Sequence, residues 1–409
     1  MRVLYFHQHF TTRAGSTATR SYEMAQMLIS RDHQVHIVCG SNEVAKSGLD
    51  GPYKNGKRSG LVDGITVTEF HIPYSNSDGL VKRTRAFLSF AFRSMWLALT
   101  EQYDIVFAST TPLTAGIPGI AAKLIRRKPF VFEVRDLWPE LPKAMGVITN
   151  PAVLACMSAL EWTSYRCANA CIGLSPGIVE GIQRRSQKNK TIAMIPNGCD
   201  VDLFSSTTVS EPKPVFTAIF SGAHGVANGL DAVLDAAALL KTRGHEHIRF
   251  LFIGEGREKP RLMKRVVSEQ LDCCEFRSAI PKTELVNLMQ QVDVGLMILD
   301  NVPAFYFGTS PNKFFDYIAA GLPVLNNYPG WLASIIEEEQ LGVVVPPESP
   351  EAFATALYDL SKDRSALVSM STNSRNCAAK RFNRHVLAVQ FSEFLESVLD
   401  KRSGQVVRV

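Results

Sequence analysis

The feature that most constrains the fold of this chain is the alternation of strand-like and helix-like segments along almost its whole length. The apolar run RVLYF near the N-terminus is followed by a polar loop, a helical stretch and the strand-like run QVHIVCG. The alternation continues as far as the apolar run GVVVPP, which begins at Gly342. Strands that alternate with helices form parallel sheets, so we predict an α/β protein with doubly wound sheets.

One segment interrupts the alternation and divides the chain. Residues 197–214, NGCDVDLFSSTTVSEPKP, are rich in Asn, Gly, Ser and Pro and show no periodicity. A chain of 409 residues is also too long for one ordinary hydrophobic core. We therefore predict two α/β domains in tandem, residues 1–198 and residues 199–380, followed by a last helix that could cap either domain.

The composition excludes several classes of protein. Hydrophobic residues make up 46% and charged residues 20% of the chain, which is typical of a globular enzyme. The formal net charge of +5 permits attraction to phosphates or to an anionic membrane but gives no reason to expect nucleic acid. The N-terminus does not read as a signal peptide, and no stretch approaches the roughly 20 apolar residues of a transmembrane helix. We therefore expect a cytoplasmic protein.

The cysteines give no sign of a zinc site. Eight occur without the paired spacing of zinc ligands, and several stand in apolar surroundings such as HIVCG. This pattern is typical of reduced thiols buried in a cytosolic protein, and we expect no disulfides.

A candidate ligand-binding motif occupies residues 308–325, GTSPNKFFDYIAAGLPVL. The stretch predicts a loop, a helix and a short buried strand, with Pro311 in the first helical turn and Gly321 at the helix end. A helix start attracts anions through its free N–H groups and its dipole. Lys313 therefore suggests a strongly anionic ligand, and Asp316 suggests sugar hydroxyls. A surface lysine and a solvated aspartate are the alternative.

Several segments together resemble glycosyltransferase family 4, whose members are retaining enzymes of GT-B fold that use nucleotide-sugar donors. The resemblance rests on the segments HFTTRAGSTATRSYEMAQMLISRDHQVHIVCG, VRDLWPE, IPNGCDVDLF, FSGAHGVANGLDAVLDAA, FLFIGEGREKPRL and SPNKFFDYIAAGLPVL. Within that family the chain looks most like bacterial O-antigen and capsule sugar transferases, which include the L-fucosamine transferase.

The resemblance implies a domain arrangement and a division of labour. It implies two Rossmann-like domains with an interdomain cleft, the donor held mainly by the second domain and the acceptor by the first. It also implies that the final helix, residues 381–409, crosses back to the first domain. No metal and no other cofactor is required by enzymes of this kind.

The chain departs from the commonest pattern of the family in its charged residues. Gly308 stands where the first of two glutamates is usual, and Arg135 stands where a histidine is usual. Ala223 and Asn228 stand where an arginine and a lysine usually contact the donor diphosphate. Because a diphosphate carries about two negative charges, Lys313 becomes the expected compensating cation.

For the donor, the resemblance implies contacts at strand ends and helix starts. Glycines there let the backbone approach a phosphate, although a simple turn would need glycine as well. Glu255 follows a strand in a region beside the nucleobase, where an exposed loop is the alternative. The predicted donor-binding residues are Gly15, Ser16, Gly222, Asn228, Gly254, Glu255, Ile280, Ser310, Asn312, Lys313 and Asp316.

For catalysis and for the acceptor, the first domain offers two strand-end motifs. FHQHF supplies His7 and His9, which are too few for a zinc site but suit a pocket, with ordinary loop histidines as the alternative. EVRDLWPE supplies Arg135 to stabilise the departing phosphate, and Asp136 or Glu140 to orient the acceptor. An internal arginine–carboxylate pair is the alternative for this second motif. With Lys313, we predict Arg135 and Asp136 as the catalytic residues.

Residues 80–99, LVKRTRAFLSFAFRSMWLAL, predict a helix with basic residues among large aromatics. On a helical wheel Lys82 and Arg93 share one side, while Arg83 and Arg85 lie elsewhere. Such a helix can lie in an anionic membrane interface, which would make the protein peripheral at the inner face of the plasma membrane. A helix packed against its own sheet is the alternative.

The resulting interpretation is a retaining glycosyltransferase that uses a nucleotide sugar, with uridine diphosphate as the preferred carrier. The acceptor would be a glycan or a polyprenyl-linked glycan in cell-surface polysaccharide synthesis. No side chain is an obvious nucleophile, which favours front-face attack. A GT-B nucleotide-sugar 2-epimerase and a catalytically silent scaffold of the same fold are the alternatives. The sequence leaves open the donor sugar, the acceptor and the linkage.

Overall fold

The computed structural model describes residues 1–15, 19–42, 45–74, 78–204 and 215–403, in two compact units. The first unit is Met1–Pro196, joined by Gly308–Ser310 and by the C-terminal segment from His385. The second unit is Asn197–Phe307 with Pro311–Arg384. The sequence places the division after residue 198 and the final helix at 381–409, whereas the structure has them after Pro196 and at Arg384–Ser403.

The first unit is built on a sheet with the strand order β3-β4-β2-β1-β5-β6-β7-β8. Every neighbouring pair is parallel except β3 and β4, which form an antiparallel edge. β5 and β6 are buried along their whole length, as expected for parallel strands that are covered on both faces. The strands are β1 Arg2–Phe6, β2 Gln34–Gly40, β3 Lys57–Val62, β4 Ile65–Phe70, β5 Ile105–Ser109, β6 Phe130–Val134, β7 Ala170–Gly173 and β8 Thr191–Met194.

Helices cover both faces of this first sheet. Asn150 caps α5 by accepting hydrogen bonds from the N–H groups of Ala152 and Val153. Gly119 allows α3 to pack closely on the sheet, since a Cβ at that position would overlap the ring of Phe130. The helices are α1 Arg20–Ser30, α2 Leu80–Thr100, α3 Gly116–Leu124, α4 Glu140–Ala144, α5 Pro151–Cys167 and α6 Pro176–Arg185, with a 3₁₀ turn at Leu113–Ala115 before α3.

The second unit is built on an all-parallel sheet with the strand order β11-β10-β9-β12-β13-β14. Its strands are β9 Phe216–Ser221, β10 Ile248–Ile253, β11 Cys274–Arg277, β12 Val294–Met297, β13 Val324–Asn326 and β14 Gly342–Val344. Its helices are α7 Val201–Phe204, α8 Asp231–Thr242, α9 Lys259–Ser268, α10 Lys282–Met289, α11 Ala304–Gly308, α12 Asn312–Ala320, α13 Trp331–Glu338, α14 Pro350–Lys362 and α15 Arg364–Arg381, with a 3₁₀ turn at Val226–Asn228.

The last helix, α16 (Arg384–Ser403), begins at the end of the second unit and then belongs to the first. The ring of its Phe391 meets the ring of Phe107 on β5 edge to face, with centroids 4.9 Å apart. Glu396 accepts hydrogen bonds from Arg31 and forms an ion pair with His33. These contacts give α16 an apolar and an ionic anchor on the first unit.

The predicted fold class is confirmed, because both units are parallel α/β sheets covered by helices. In each sheet the strand order reverses at one point, between β1 and β5 in the first unit and between β9 and β12 in the second. Loops at the carboxyl ends of strands beside such a reversal are where open α/β sheets bind their ligands. The candidate site residues follow β1 and β6 in the first unit, and β9, β10, β11 and β12 in the second.

Candidate active site

The polar centre of the first unit is a buried ion pair. Arg20 on α1 is fully buried and donates from Nε and Nη2 to Oε2 of Glu133 at 3.0 and 2.8 Å. Its guanidinium also donates to the carbonyl oxygens of Ile195 and Pro196. Glu133 on β6 accepts a further hydrogen bond from Ser109 on β5. Although burial alone raises the pKa of Glu133, the nearby arginines bring it down to about 2.

Arg135 shares the same carboxylate. Its Nε donates to Oε1 of Glu133 at 3.1 Å, and its backbone N–H donates to Thr110 Oγ1 at 2.8 Å. The alternative that the sequence left open, an internal arginine–carboxylate pair, is therefore present at this position. The guanidinium is not sealed off, since 17% of the side chain is exposed. Its predicted role toward a leaving phosphate stays a prediction.

The two predicted histidines lie at the carboxyl end of β1. His7 is buried, and its Nδ1 hydrogen-bonds with the hydroxyl of Ser21 at 2.7 Å. His9 packs its ring 4.8 Å from the ring centroid of Tyr74. Burial and then the charge of Arg135 lower the pKa of His7, and the same causes lower the pKa of His9 to about 4. Both rings are therefore neutral at pH 7 and serve as hydrogen-bonding or packing groups.

The remaining predicted residues of the first domain have different positions. Asp136 accepts a hydrogen bond from Thr111 at 3.2 Å, and burial raises its pKa. Glu140 is exposed at the start of α4. Gly15 is buried and its N–H donates to the carbonyl oxygen of Thr12 at 3.2 Å, and its predicted contact with an anion stays a prediction. Ser16 lies outside the described residues.

The structure corrects the assignment of Arg83 on α2. The sequence groups it with the membrane-facing basic residues, but its guanidinium lies over the rings of Tyr74 and Phe87, with Cζ 5.9 Å from each centroid. Its Nε is buried and has no hydrogen-bond partner among the described residues. Arg83 is therefore partly buried against the same two rings that His9 contacts.

In the second unit, Lys313 stands in the first turn of α12. Its Nζ donates to Asn228 Oδ1 at 2.9 Å and lies 3.9 Å from the centroid of the Phe220 ring. No carboxylate pairs with it among the residues that the structure describes. Burial lowers its pKa to about 7. Asn228, which stands where a cation is usual in the family that the sequence resembles, is thus in direct contact with Lys313, the predicted compensating cation.

The position of Lys313 is fixed by the way in which α12 packs. The hydroxyl of Tyr317 on this helix accepts a hydrogen bond from the N–H of Ser221 at 2.9 Å, which ties α12 to the end of β9. Gly222 follows Ser221 with a φ of +148°, and a Cβ there would come within 3.3 Å of the Lys313 side chain. Glycine at 222 therefore leaves space beside the ammonium group.

Gly254 brings two strand-end loops together. It has a φ of +147°, and a Cβ would overlap the carbonyl oxygen of Gly222. Lys259 secures the loop, because its Nζ donates to the carbonyls of Gly254 and Arg277 at 3.0 and 2.9 Å. Glu255 forms an ion pair with the same ammonium at 3.0 Å, which favours a structural role for its carboxylate. Sequence reasoning missed Lys259, although its spacing of four from Glu255 was a signal.

His224 lies beneath this loop. It is fully buried, and neither ring nitrogen has a hydrogen-bond partner in the described part of the chain. Burial and the charge of Lys259 lower its pKa to about 4. Its ring contacts those of Phe220, Phe252 and Phe276. A neutral histidine among aromatic rings keeps the two loops in place.

Asp316 is part of a buried ionic cluster. Its Oδ1 lies 2.8 Å from Nζ of Lys282, which also pairs with Asp200. Asp200 is held in turn by Arg384. The alternative of a solvated aspartate is wrong, because only 12% of the Asp316 side chain is exposed. Any contact of Asp316 with a ribose would use the oxygen that is not paired with Lys282.

Three further predicted donor residues lie in the loops that follow β11 and β12 or at the start of α12. Ser310 is buried just before the helix, and Asn312 is its partly exposed first residue. Ile280 is partly exposed in the loop between β11 and α10. Their roles in binding remain predictions.

A cavity of about 360 Å³ opens beside the strand reversal of the second unit. Its polar lining includes Asp231, Glu258 and Arg261. Arg261 pairs with both of these carboxylates, Arg265 also pairs with Asp231, and Arg257 also pairs with Glu258, so each carboxylate already has cationic partners. Lys313 does not line this space, which we therefore do not assign to the diphosphate.

The described residues contain neither a candidate metal site nor a membrane-spanning helix. No group of three or more His, Cys, Asp or Glu side chains there could hold a metal ion. No helix in the same part of the chain is long and apolar enough to cross a membrane. The eight cysteines are free, and Cys39, Cys171, Cys199 and Cys377 are buried.

Comparisons with known proteins agree with this architecture. A model of the glycosyl transferase 4-like domain matches residues 15–198, and a model of the glycosyl transferases group 1 domain matches residues 215–363. The chain is 26% identical over 229 residues to D-inositol 3-phosphate glycosyltransferase of Corynebacterium urealyticum. That alignment covers 51% of this chain and 51% of the relative, so the chain spans about half the length of the curated relative that it matches.

Two solved structures show the same fold at low sequence identity. A sucrose-phosphate synthase of Thermosynechococcus elongatus superposes with a TM-score of 0.77 and 15% identity, over 98% of this chain and 99% of that one. HepE of Anabaena, solved with UDP-glucose, superposes with a TM-score of 0.68 and 15% identity, over 97% of this chain and 100% of that one. The chain therefore combines a glycosyl transferase 4-like domain with a glycosyl transferases group 1 domain, on two parallel α/β units with the fold of these solved structures.

Proposed function

We propose that the protein is a retaining glycosyltransferase that moves a sugar from a UDP-sugar to a polyprenyl-linked glycan in cell-surface polysaccharide synthesis. The observation that carries the proposal is the environment of Lys313. Its ammonium group stands at a helix start beside Gly222, close to a strand reversal, with a neutral amide and an aromatic ring as partners. A cation in this position suits a diphosphate.

The donor is held through its charge. The first turn of α12 contributes N–H groups and a favourable dipole, and Lys313 contributes a full charge when it is protonated. Asn228, which stands where related enzymes often have lysine, holds the ammonium group in place. UDP as the carrier is supported by the Anabaena structure of the same fold, which was solved with UDP-glucose.

The leaving diphosphate is the group that these residues stabilise most. As the bond from the sugar to the phosphate breaks, negative charge grows on the phosphate oxygen. A positioned cation stabilises that charge more in the transition state than in the bound donor, which is the condition for catalysis. Retention then follows if the acceptor hydroxyl attacks from the face that the diphosphate leaves, with the diphosphate oxygen taking the hydroxyl proton.

A peripheral membrane contact belongs to the same proposal and is supported by α2. Its inward side packs on the unit through residues such as Phe90 and Leu97. Its opposite side exposes large apolar side chains, with exposed fractions of 39% to 68%, at Val81, Leu88, Phe92 and Trp96. Arg85 lies on the same exposed side. An apolar stripe with a basic residue suits an anionic bilayer surface.

The test is a transfer assay with defined donors and a lipid-linked acceptor. We would incubate the protein with UDP-hexoses and UDP-N-acetylhexosamines and a synthetic polyprenyl diphosphate disaccharide, and assign the anomeric configuration of the product by NMR. We expect transfer from one donor with retained configuration. Conversion of the donor sugar without an acceptor would indicate the epimerase, and saturable UDP binding without transfer would indicate the silent scaffold.

A further inference from the structure

We infer that the first unit contains an anion subsite, formed by Arg83 and Arg135, that binds a phosphate ester of the acceptor. This inference rests on the proposed function, since it gives the chemical class of the acceptor group. The arrangement was not expected from the sequence, which places Arg83 on the membrane side and Arg135 beside the departing phosphate.

The first cation contacts aromatic rings and, among the described residues, pairs with no carboxylate. Arg83 lies over Tyr74 and Phe87, and the ring of His9 lies 4.8 Å from Tyr74 and 6.4 Å from Phe87. We call these four residues the Arg83 cluster. In the described part of the chain, the guanidinium makes ring contacts, and its buried Nε has no hydrogen-bond acceptor. A buried donor without an acceptor destabilises the protein, and a ligand oxygen that accepted from it would remove this cost.

The second cation approaches the same histidine from β6. The loop after β5 connects the two cations, because its Thr110 accepts a hydrogen bond from the N–H of Arg135 at 2.8 Å and its Thr114 donates to the carbonyl oxygen of Phe87 at 3.3 Å. Burial and then the charges of Arg135 and Arg83 lower the pKa of His9, which agrees with this placement. Nη2 of Arg135 lies 3.4 Å from the hydroxyl of Ser21, which also hydrogen-bonds with His7. The two guanidinium groups therefore share the neighbourhood of one neutral imidazole.

The charge count in this region is positive. Arg20, Arg83 and Arg135 contribute three positive charges, and Glu133 contributes one negative charge, which leaves +2. Asp136 lowers this sum to +1 when it is ionised, and its raised pKa makes that ionisation less favourable. Two partly buried cations with so little negative charge nearby favour an anionic ligand.

A phosphate ester fits this subsite better than a carboxylate or a neutral sugar. Guanidinium groups bind phosphate oxygens with two parallel hydrogen bonds, and two of them match the charge of a diphosphate. The rings of Tyr74 and Phe87 offer an apolar wall for the group attached to the phosphate. Since Arg83 and the exposed apolar stripe belong to the same helix, the phosphate of a lipid-linked acceptor is the source that we favour over a soluble sugar phosphate.

The experiment compares three probes by isothermal titration. Geranyl diphosphate carries both the phosphate and a short lipid, glucose 6-phosphate carries phosphate without lipid, and geraniol carries lipid without phosphate. Arg83→Gln removes the charge, and Arg85→Gln on the exposed side of the same helix is the matched control. We expect geranyl diphosphate to bind the wild type, to lose about tenfold to a hundredfold in affinity in Arg83→Gln, and to be unaffected in Arg85→Gln.

The probes also separate the two sources of phosphate. Tighter binding of geranyl diphosphate than of glucose 6-phosphate would support a lipid-linked phosphate as the ligand. Tighter binding of glucose 6-phosphate, still weakened by Arg83→Gln, would support a soluble sugar phosphate. Equal affinity of the wild type and Arg83→Gln for both phosphates, or binding of geraniol alone, would overturn the inference. Arg135→Gln provides a second variant in case Arg83→Gln does not fold, and it should weaken both phosphates as well.

The donor readout keeps this inference separate from the proposed function. UDP affinity should be the same in the wild type and in Arg83→Gln, because Lys313 belongs to the second unit. If UDP binds and sugar is transferred with unchanged acceptor KM in Arg83→Gln, the anion subsite is wrong and the proposed function stands. If neither UDP nor any UDP-sugar binds the wild type, the proposed function fails, whatever the geranyl diphosphate titration shows.

Discussion

Removing the charge of Lys313 should abolish a pH dependence of UDP binding that the structure predicts for the wild type. The ammonium group has Asn228 Oδ1 and the Phe220 ring as its partners, and burial lowers its pKa to about 7. In the ligand-free protein it is therefore about half protonated at neutral pH. Lys313→Met keeps most of the side-chain volume and removes the charge, which makes it the informative substitution.

The expected magnitude follows from proton linkage. A bound diphosphate stabilises the protonated amine and raises its pKa, so UDP binding takes up a proton above pH 7. Affinity then falls by up to tenfold per pH unit, which is 1.36 kcal/mol, or by about a hundredfold between pH 7 and pH 9. The last ionisation of a phosphate ester occurs near pH 6 and does not contribute in this range. At pH 6 the Lys313→Met variant should bind UDP about tenfold to a hundredfold more weakly than the wild type.

Isothermal titration of UDP and of uridine from pH 6 to pH 9 measures the effect. Uridine lacks the diphosphate, so its affinity should be flat in both proteins. Lys313→Arg keeps its charge over this range and should also give a flat profile. The Lys313→Met variant should be at least as stable as the wild type at pH 7. A lysine whose folded-state pKa is depressed costs stability at any pH below its unfolded pKa of 10.5, and the methionine removes this cost. A UDP affinity that is constant from pH 7 to 9 in the wild type, or that falls equally in Lys313→Met, would refute the reasoning.

Four further outcomes are expected. In urea unfolding at pH 7, Glu133→Gln should destabilise the first unit by about 3–5 kcal/mol, because it leaves Arg20 buried without a counter-charge. The pKa of Glu133 in the wild type is depressed to about 2, so the stability that this carboxylate contributes should be lost as the pH falls from about 4.5 to 2. At pH 2 the two proteins should have similar free energies of unfolding. Gly254→Ala should reduce UDP affinity by at least tenfold, because the Cβ of the new alanine would overlap the Gly222 carbonyl oxygen and move the Gly222 loop away from Lys313. Phe276→Leu is the comparison variant and should reduce UDP affinity less. Transfer should continue in EDTA, and restoration by magnesium after a complete loss would contradict the Lys313 mechanism. Changing Phe92 and Trp96 to Ser should reduce sedimentation with anionic vesicles at least tenfold relative to the wild type, whereas equal sedimentation would assign the stripe another role.

The units and their sheets could be predicted from the sequence because the signal for them is local. β5 and β6 are apolar runs apart from Ser109 and Glu133 near their carboxyl ends, which is typical of strands covered on both faces. The start of α12 was also predictable, since Pro311 and Gly321 mark the two ends of the helix. Lys313 was found in the same way, because an anion site at a helix start depends on residues only a few positions apart.

The partners of the charged residues could not be predicted, because they come from distant parts of the chain. Glu133 is 113 positions from Arg20, and Lys282 reaches both Asp200 and Asp316. One signal was present, since Arg20 occurs on the side of α1 that otherwise carries core residues such as Met24 and Leu28. A charged residue at a core position predicts a buried counter-charge, although it does not say which residue supplies it.

The pairing of the cations then separates those that hold the fold from those that are available to a ligand. Arg20 and Lys282 each have a carboxylate partner in place, so the removal of one member leaves a buried charge and should cost stability. Lys313 and Arg83 instead contact an aromatic ring and, for Lys313, a neutral amide. A ring and an amide stabilise a cation only weakly, so these positions leave electrostatic energy that an anion would recover on binding. Because Ala223 and Asn228 carry no charge, we expect the compensation of a donor phosphate to come from Lys313 on α12. Since the pKa of this lysine is about 7, whereas an arginine would stay charged, we predict that donor binding is sensitive to pH.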